Sequence, residues 1–494
     1  MSVVFDIFCV GLLCALTALI GLKFGQHVPE PYMDEIFHKD QLCAYSTGNF
    51  TYWNAKISTP PGLYFATLPF VHFRLILRSA SSVLSSSSSS SLCELSFVRL
   101  CNIFWLVALY FACKLITKQQ NDSRERRNPR RLSDAASPLA QSLSALNCCL
   151  MPVLYFSSCL YYTDLVSNLA VLLMYLFNRK HFKLLSALFG LASVSIRQTN
   201  IVWVTFCAGL TAADKIELEL QALTKKSDVE VSENRQSGAV RDLLAELSHV
   251  FRRDKRNFCR VFAKSIWSVR YFIGIFIICA GFVCIRNSGS LSFGDHAAHK
   301  PVPHFVQLFY CATFVSAQSA VYFCDFTTIK SFLEFVWRNI FAIVFVFIPI
   351  SLFAVHFCSF EHEYLLADNR HYTFYLWRRV WKRHLLVPYL LVLGYGASLW
   401  CAAWAIRQKS EIWKCGFLIS VILVVVPNRL LEFRYFITPF LIWRLNFDRT
   451  LVKTGCVVLE FVGFVCVNLV TVYWFLYHPF RWAHEPDAVQ RFMW

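Results

Sequence analysis

Three residues near the start of the chain carry side chains suited to acid–base work. They are Asp34, Glu35 and His38, within the run PYMDEIFHKDQLCAYSTGNFTYWNAKISTPPGLY (31–64). Asp34 and Glu35 are adjacent, so on a helix they point about 100° apart and cannot form the facing carboxylate pair of a glycoside hydrolase. One carboxylate suffices where the leaving group is already good, as a phosphate monoester is. The remaining need is a general base to take the proton from an attacking hydroxyl, with cations to hold the charge that develops. The same two acids could equally be surface charges or partners of a helix N-terminus, and spacing alone leaves that open. His38 follows Asp34 by one helical turn, which would suit a metal pair. No third ligand is evident nearby, so no metal and no cofactor is expected.

Other polar residues cluster where apolar runs end. Trp53 and Lys56 precede the stiff turn TPPG (59–62), whose two prolines and glycine fix its path. Asp164, Arg197, Asn200, Asp368, Arg370, His371, Arg378 and Arg434 all fall at ends of apolar runs on one predicted side. Ionisable groups at membrane depth are costly and tend to be paired or functional. Singly, each fits a structural ion pair; together they make a candidate rim for an anion or for sugar hydroxyls. Asn49-Phe50-Thr51 is an N-glycosylation sequon in the same loop as Asp34, and Asn121-Asp122-Ser123 is another in a basic loop, where it should stay unmodified.

The elements that must position these groups are membrane helices. Of 494 residues 56% are hydrophobic and 16% aromatic, and only 16% are charged, with a mean hydropathy of +0.46. Soluble domains carry about 25% charged residues. Apolar runs of about 15 to 22 residues recur along the chain, which reads as one integrated, all-α polytopic membrane protein. The net charge of +17 is accounted for by Lys and Arg in cytoplasmic loops, and no nucleic-acid motif accompanies it. Most of the 20 cysteines lie in apolar runs (Cys9, Cys14, Cys148, Cys149, Cys279, Cys284) and read as small buried hydrophobes. No CxxC pair or Cys/His spacing suggests zinc, and the redox compartment cannot be read from them.

Residues 2–22 form the first apolar run. Asp6, the lack of a positive n-region and the lack of a clear A-x-A site favour an uncleaved span over a signal peptide. The run 97–116 is the next full-length one, and the basic run 118–131 after it belongs in the cytoplasm. With a cytoplasmic N-terminus, residues 23–95 then form one large luminal loop. Within it, 62–77 reads as a re-entrant or interfacial helix, and the serine run 85–91 as a low-complexity insert without chemistry. A charged cytoplasmic insert, 214–264, partly helical or disordered, divides an N-terminal membrane half (1–213) from a C-terminal half (265–494) with luminal loops 286–304 and 358–384. The total comes to about 12 to 14 spans. In this count the basic run 378–384 is luminal. Either the count is off by one there, or those charges serve a negative ligand.

Six motifs, in order along nearly the whole chain, carry a resemblance: PYMDEIFH (31–38), KISTPPGLY (56–64), YYTD (161–164), RQTNIVW (197–203), LADNRHYTFYLWRR (366–379) and EFRYFITPFLIWRL (432–445). Together they resemble the endoplasmic-reticulum α-1,2-glucosyltransferase family, which uses dolichyl-phosphate glucose to add the third, terminal glucose to the dolichol-linked oligosaccharide. The resemblance implies a GT-C membrane fold, a multi-pass protein of the endoplasmic reticulum with its site facing the lumen. It implies displacement with inversion, β-linked glucose on dolichyl phosphate becoming an α-1,2-linked glucose on a diglucosylated dolichyl-diphosphate-linked acceptor. By motif, Asp34 is the expected general base, with Glu35 supporting or alternative. Arg370, His371 and Arg378 are candidates for the donor phosphate by charge and position. The sequence departs from the family pattern at Trp53-Asn54-Ala55, where Trp-Asp-Pro is usual; the lost carboxylate argues against catalysis there. A mannosyl donor is the nearest alternative, since residue physics does not separate the two sugars. A transporter or channel subunit would show charges along span centres and repeated halves, and neither is clear.

Overall fold

The computed structural model of the chain describes residues 2–81, 93–125, 137–225, 239–285 and 301–494. The serine run 85–91, the end of the basic run 118–131, and Asp295, His296 and His299 of the loop 286–304 lie outside the described residues.

The described residues are almost entirely helical. The N-terminal half contains α1 (Ser2–His27), α2 (Glu35–Ser46), α3 (Gly62–Ser81), α4 (Leu95–Glu125), α5 (Pro138–Leu150), α6 (Pro152–Ser158), α7 (Asp164–Arg179), α8 (Lys183–Ile196) and α9 (Ile201–Lys225). Among the described residues, five helices are long and apolar enough to cross a membrane: Val3–His27, Leu95–Gln120, Ile340–Phe357, Val387–Ala405 and Thr454–Tyr477. The pairs α5 with α6 and Lys255–Ser268 with Arg270–Ile285 are each bent by 64° and would raise the number to 7. The first bend falls at Met151–Pro152, where proline cannot donate to the preceding turn. The larger sequence count includes shorter apolar runs. One of them, α7, is buried on almost every side, so it is apolar because protein surrounds it. Ile437–Leu445 is a nine-residue helix buried at every position but Thr438. The long helices instead expose Phe8, Leu19, Phe345, Ile350, Phe353, Leu459 and Val470, a surface that bilayer hydrocarbon solvates and water does not. The chain is an all-α multi-pass membrane protein.

Paired polar groups stitch the bundle. Asp6 on α1 is held by Lys114, by Tyr110 at 2.6 Å and by Ser142 at 2.9 Å. Arg444 is bonded to Glu460 at 2.7 Å, and Asn147 and Tyr322 each donate to the same carboxylate at 2.7 Å. In a medium without water such charges persist only when paired in this way.

The bundle has two distinct ends. Gln119 donates to the Arg179 carbonyl at 2.8 Å, and Arg449 to the Thr117 carbonyl at 3.1 Å, so the basic runs near 118 and 179 meet at one end. α4 and α7 both begin at the other end, and α8 returns to it. There α2 and α3 cap the bundle over a separate apolar cluster of Leu42, Tyr45, Ile57, Leu63, Tyr64, Leu68, Tyr161 and Val166. Gly62 opens α3 against α8 so closely that a Cβ would meet the Ser195 carbonyl oxygen at 2.5 Å, which only glycine permits.

The charged stretch 214–264 is helical where described: α9 runs on to Lys225, followed by Val240–Arg253 and Lys255–Ser268. Near the C-terminus an antiparallel hairpin, β1 (Phe480–Trp482) and β2 (Glu485–Gln490), was not foreseen. It returns the segment 491–494 to the same end as α2. There Tyr32 donates to the Arg491 carbonyl at 3.1 Å and accepts from the Arg491 amide at 2.8 Å. The Met493 amide donates to the Arg370 carbonyl at 2.8 Å, and the Tyr372 amide to the Met493 carbonyl at 3.0 Å.

Candidate active site

The turn into α2 separates the two adjacent acids. Met33 has φ 56°, a left-handed conformation uncommon for a residue with a side chain. Asp34 then takes the N-cap position of α2 without spending its carboxylate on the helix N-terminus. Glu35, the next residue, points inward and is fully buried. Its Oε1 accepts from Arg99 Nε at 2.8 Å and from the Tyr161 amide at 2.8 Å; its Oε2 accepts from Arg99 at 2.5 Å and from the Tyr32 amide at 3.1 Å. Arg99, at the start of α4, also donates to the Val28 carbonyl at 2.7 Å. Glu35 therefore ties α2 to α4, and its oxygens have no room for a substrate.

Asp34 points the other way, into a cleft. Its Oδ2 lies 3.3 Å from Arg434 Nη2. Arg434 comes from the short turn Phe433–Phe436, with its guanidinium carbon 5.2 Å from the centre of the Tyr162 ring. It also bonds to Glu432 and stands 3.7 Å from Asp164 Oδ2. Asp164 opens α7; its other oxygen is 3.0 Å from Arg197 Nη2, and Arg197 Nε donates to Thr163 Oγ1 at 2.8 Å. Three carboxylates thus surround two guanidiniums, leaving one negative charge over. Asp34 is the open member: its side chain is 47% exposed, against 0% for Asp164 and 13% for Glu432.

Burial alone would raise the Asp34 pKa. The Arg434 guanidinium, with its hydrogen bonds and help from the nearby histidines His38 and His371, outweighs burial and holds the carboxyl below its ordinary value. His38 forms the cleft wall, sharing a hydrogen bond with the Tyr64 hydroxyl at 2.8 Å. Burial lowers its pKa to about 4, against the opposing pull of Asp34, so it is neutral at pH 7. Its Nδ1 is committed to Tyr64.

A second group reaches this end from 368–371. Arg370 grips Asp368 through two hydrogen bonds of 2.8 Å, donates to Gln490 at 3.2 Å and lies over the Trp482 ring at 4.9 Å. Burial would raise the Asp368 pKa, but Arg370 keeps it below the usual range. His371 Nδ1 donates to the Trp494 main-chain oxygen at 3.0 Å. Just beyond, the turn Trp377–Trp381 has π-helical geometry, which often marks functional sites. It opens a groove of about 480 Å³ lined by Phe374, Tyr375, Arg378, Arg379 and Arg383. Arg378 and Arg379 lie over Phe374 and Tyr375 at 5.9 and 5.4 Å. Among the described residues no carboxylate pairs with these three arginines, in contrast to Arg197, Arg370 and Arg434.

The remaining sequence candidates stand apart from the carboxylate cleft. Asn200 is buried and bonds to Ser167 Oγ and the Ser193 carbonyl, each at 2.8 Å, fixing the turn between α8 and α9. Gln198 donates to the Ser58 carbonyl at 2.9 Å, which joins that turn to the TPPG stretch. The segment around Trp53 docks along α2: Gln41 donates to the Tyr52 carbonyl at 2.7 Å and accepts from the Asn54 amide at 2.9 Å. Lys56 and Asn49 are exposed, and Thr51 donates to the Asn49 side chain at 2.9 Å. Sequence reasoning missed Glu432, Tyr162 and Arg99. The first two lay inside quoted motifs, and Arg99 was an arginine inside an apparent span, itself a sign of a buried partner. No local signal marked the segment 491–494.

Residues 28–445, which hold every cleft residue from Asp34 to Arg434, match the DIE2/ALG10 family. A Homo sapiens protein named Dol-P-Glc:Glc(2)Man(9)GlcNAc(2)-PP-Dol alpha-1,2-glucosyltransferase is 35% identical over 483 residues, covering 97% of this chain and 96% of its own. Proteins of the same name from Mus musculus and Arabidopsis thaliana are 34% identical over 497 residues (97% of this chain, 96% of theirs) and 32% identical over 508 residues (94% and 95%). No solved structure matches at a significant level. With the family spanning most of its length and relatives aligned almost end to end, this chain belongs to the DIE2/ALG10 family.

Proposed function

We propose that this protein transfers glucose from dolichyl-phosphate β-glucose to the diglucosylated dolichyl-diphosphate oligosaccharide, forming its terminal α-1,2-glucose. The activity for which a relative 35% identical over 97% of this chain is named supports the donor and the acceptor. Asp34 is the general base. The observation that carries this is its position: an ionised carboxylate that faces the cleft while its neighbours Asp164 and Glu35 are buried and ion-paired. The acceptor hydroxyl attacks the anomeric carbon from the face opposite the phosphate, Asp34 takes the hydroxyl proton, and the dolichyl phosphate leaves. Direct displacement inverts the anomeric centre. Arg434 holds Asp34 in place and ionised; Asp164 and Glu432 hold Arg434, and Arg197 holds Asp164. Glu35 positions α2. Arg378, with Arg379 and Arg383, is placed to receive the donor phosphate, because among the described residues no carboxylate pairs with these arginines. Arg370 is already gripped by Asp368 and shapes the rim with His371, as Trp53, Lys56 and Asn200 shape the loop and turn behind it. The fold is of the GT-C kind, with an N-terminal half (1–213), a cytoplasmic insert (214–264) and a C-terminal half (265–494), in the endoplasmic-reticulum membrane with α2 in the lumen.

The test is a transfer assay on detergent-purified protein with dolichyl-phosphate glucose or dolichyl-phosphate mannose and the diglucosylated acceptor. One added α-1,2-glucose, from the glucosyl donor only, is expected. Asp34→Asn should lower kcat by about 10²- to 10⁴-fold. Full turnover in that variant would remove Asp34 from the role of base.

A further inference from the structure

Two cysteines outside the membrane helices face each other across the loop that carries Asp34. Cys43 is on the penultimate turn of α2 and half-buried; Cys93 stands just before α4 and is buried. Each thiol stands near enough to alter the other's ionisation. Ser46 fixes the approach: its hydroxyl donates to the Cys43 carbonyl at 2.8 Å and lies 3.2 Å from Cys93 Sγ. The Cys43 thiol beside it favours the Cys93 thiolate and, against the effect of burial, holds its pKa below the ordinary value. Cys113 and Cys148 also stand near each other, but they lie on α4 and α5 inside the apolar bundle, where neither thiolate nor oxidant is at home.

We propose that Cys43 and Cys93 form a disulfide in the mature protein, made by a disulfide-bearing oxidoreductase. One cysteine thiolate attacks a sulfur of the oxidant's disulfide, giving a mixed disulfide. The second thiolate displaces the oxidant, which leaves as a dithiol; the two protons lost by the cysteines balance those gained by the oxidant, and two electrons pass to it. The inference rests on the luminal placement of α2 proposed above, because disulfides persist in oxidising compartments.

The bond would complete a two-point attachment. Glu35 and Arg99 already pin the first turn of α2 to α4. Cys43 and Cys93 would pin its far end, about 12 Å further along the axis, to the turn that leads into that helix. The helix that presents Asp34 then cannot swivel. The serine run 85–91 falls inside the covalent loop, so a change in its length leaves the junction of α2 and α4 fixed.

The test uses full-length protein in sealed microsomes. Thiols are blocked with N-ethylmaleimide under denaturing conditions, and the unreduced digest is read by mass spectrometry. A peptide joining Cys43 to Cys93, lost on reduction, is expected, and Cys93→Ser should leave Cys43 newly alkylated. Dithiothreitol should lower the melting temperature of the purified wild type but not that of the Cys43→Ser/Cys93→Ser variant. A parallel sample of intact microsomes is digested with protease, and the α2 loop is followed by an inserted epitope. Free thiols in a protected loop would overturn the disulfide and leave the luminal placement standing. Free thiols in a protease-accessible loop would overturn both. A link from either cysteine to a third one would also overturn the proposed pairing.

Discussion

Asp34 and Arg434 are 400 residues apart and 3.3 Å apart in space, and this contact sets the pH behaviour of the base. The folded-state pKa of Asp34 is below its ordinary value, with Arg434 the opposing force to burial. The carboxylate is therefore ionised at and above the ordinary range and is lost only as pH falls through the lower, folded value. Arg434→Gln removes that force and leaves burial, so the acid limb of the kcat/KM profile should move to higher pH. An unmoved limb would assign it to another group. The same guanidinium sits where Asp34, Asp164 and Glu432 converge, the position a divalent cation would otherwise take. Transfer should thus survive EDTA; loss of activity restored by a divalent ion would show that metal is required. Asp34 was legible in the sequence because an acidic, aromatic stretch follows an apolar run. Its separation from Glu35 was legible only as an angle, since the direction each side chain takes depends on Met33 and on where Arg99 lies.

At the scale of elements, α2 owes its orientation to one fully buried ion pair. Breaking such a pair strands a charge and costs about 3–5 kcal/mol. Arg99→Ala should therefore lower the melting temperature of detergent-solubilised protein markedly, whereas Asp34→Asn, at a half-exposed position, should leave it nearly unchanged. Equal melting curves for the two variants would deny Glu35 and Arg99 their anchoring role. Run length exposed α1, α4 and the helix Thr454–Tyr477 clearly, because each contains a long, nearly unbroken apolar run. Helices such as α7 fall short of the length test for a span while running from one end of the bundle to the other, and a helix enclosed by protein has the same composition as one enclosed by lipid. The hairpin Phe480–Gln490 was invisible because EPDAVQ has no strand alternation; its pairing comes from the partner strand and from the contacts of residues 491–494.

For the whole molecule, the two ends differ in kind: one gathers basic runs and the other the carboxylate cleft. If the cleft end is luminal, the exposed sequon at Asn49 lies where glycans are attached. A mobility shift on peptide-N-glycosidase treatment, lost in Asn49→Gln, is the expected result, and its absence together with protease access to α2 from the cytoplasm would invert the orientation. The cleft draws on residues 34, 164, 197 and 434, and its rim on 371 and 494, so no contiguous piece of chain contains it. Biogenesis feels this directly. As the chain is made, Asp164 enters the bundle with Arg197 following it, but the cation that completes the arrangement arrives some 240 residues later. Until then Asp34 and Asp164 lack the guanidinium that joins them. Activity should appear in a single step when that last cation docks, and truncated products should be inert rather than weakly active.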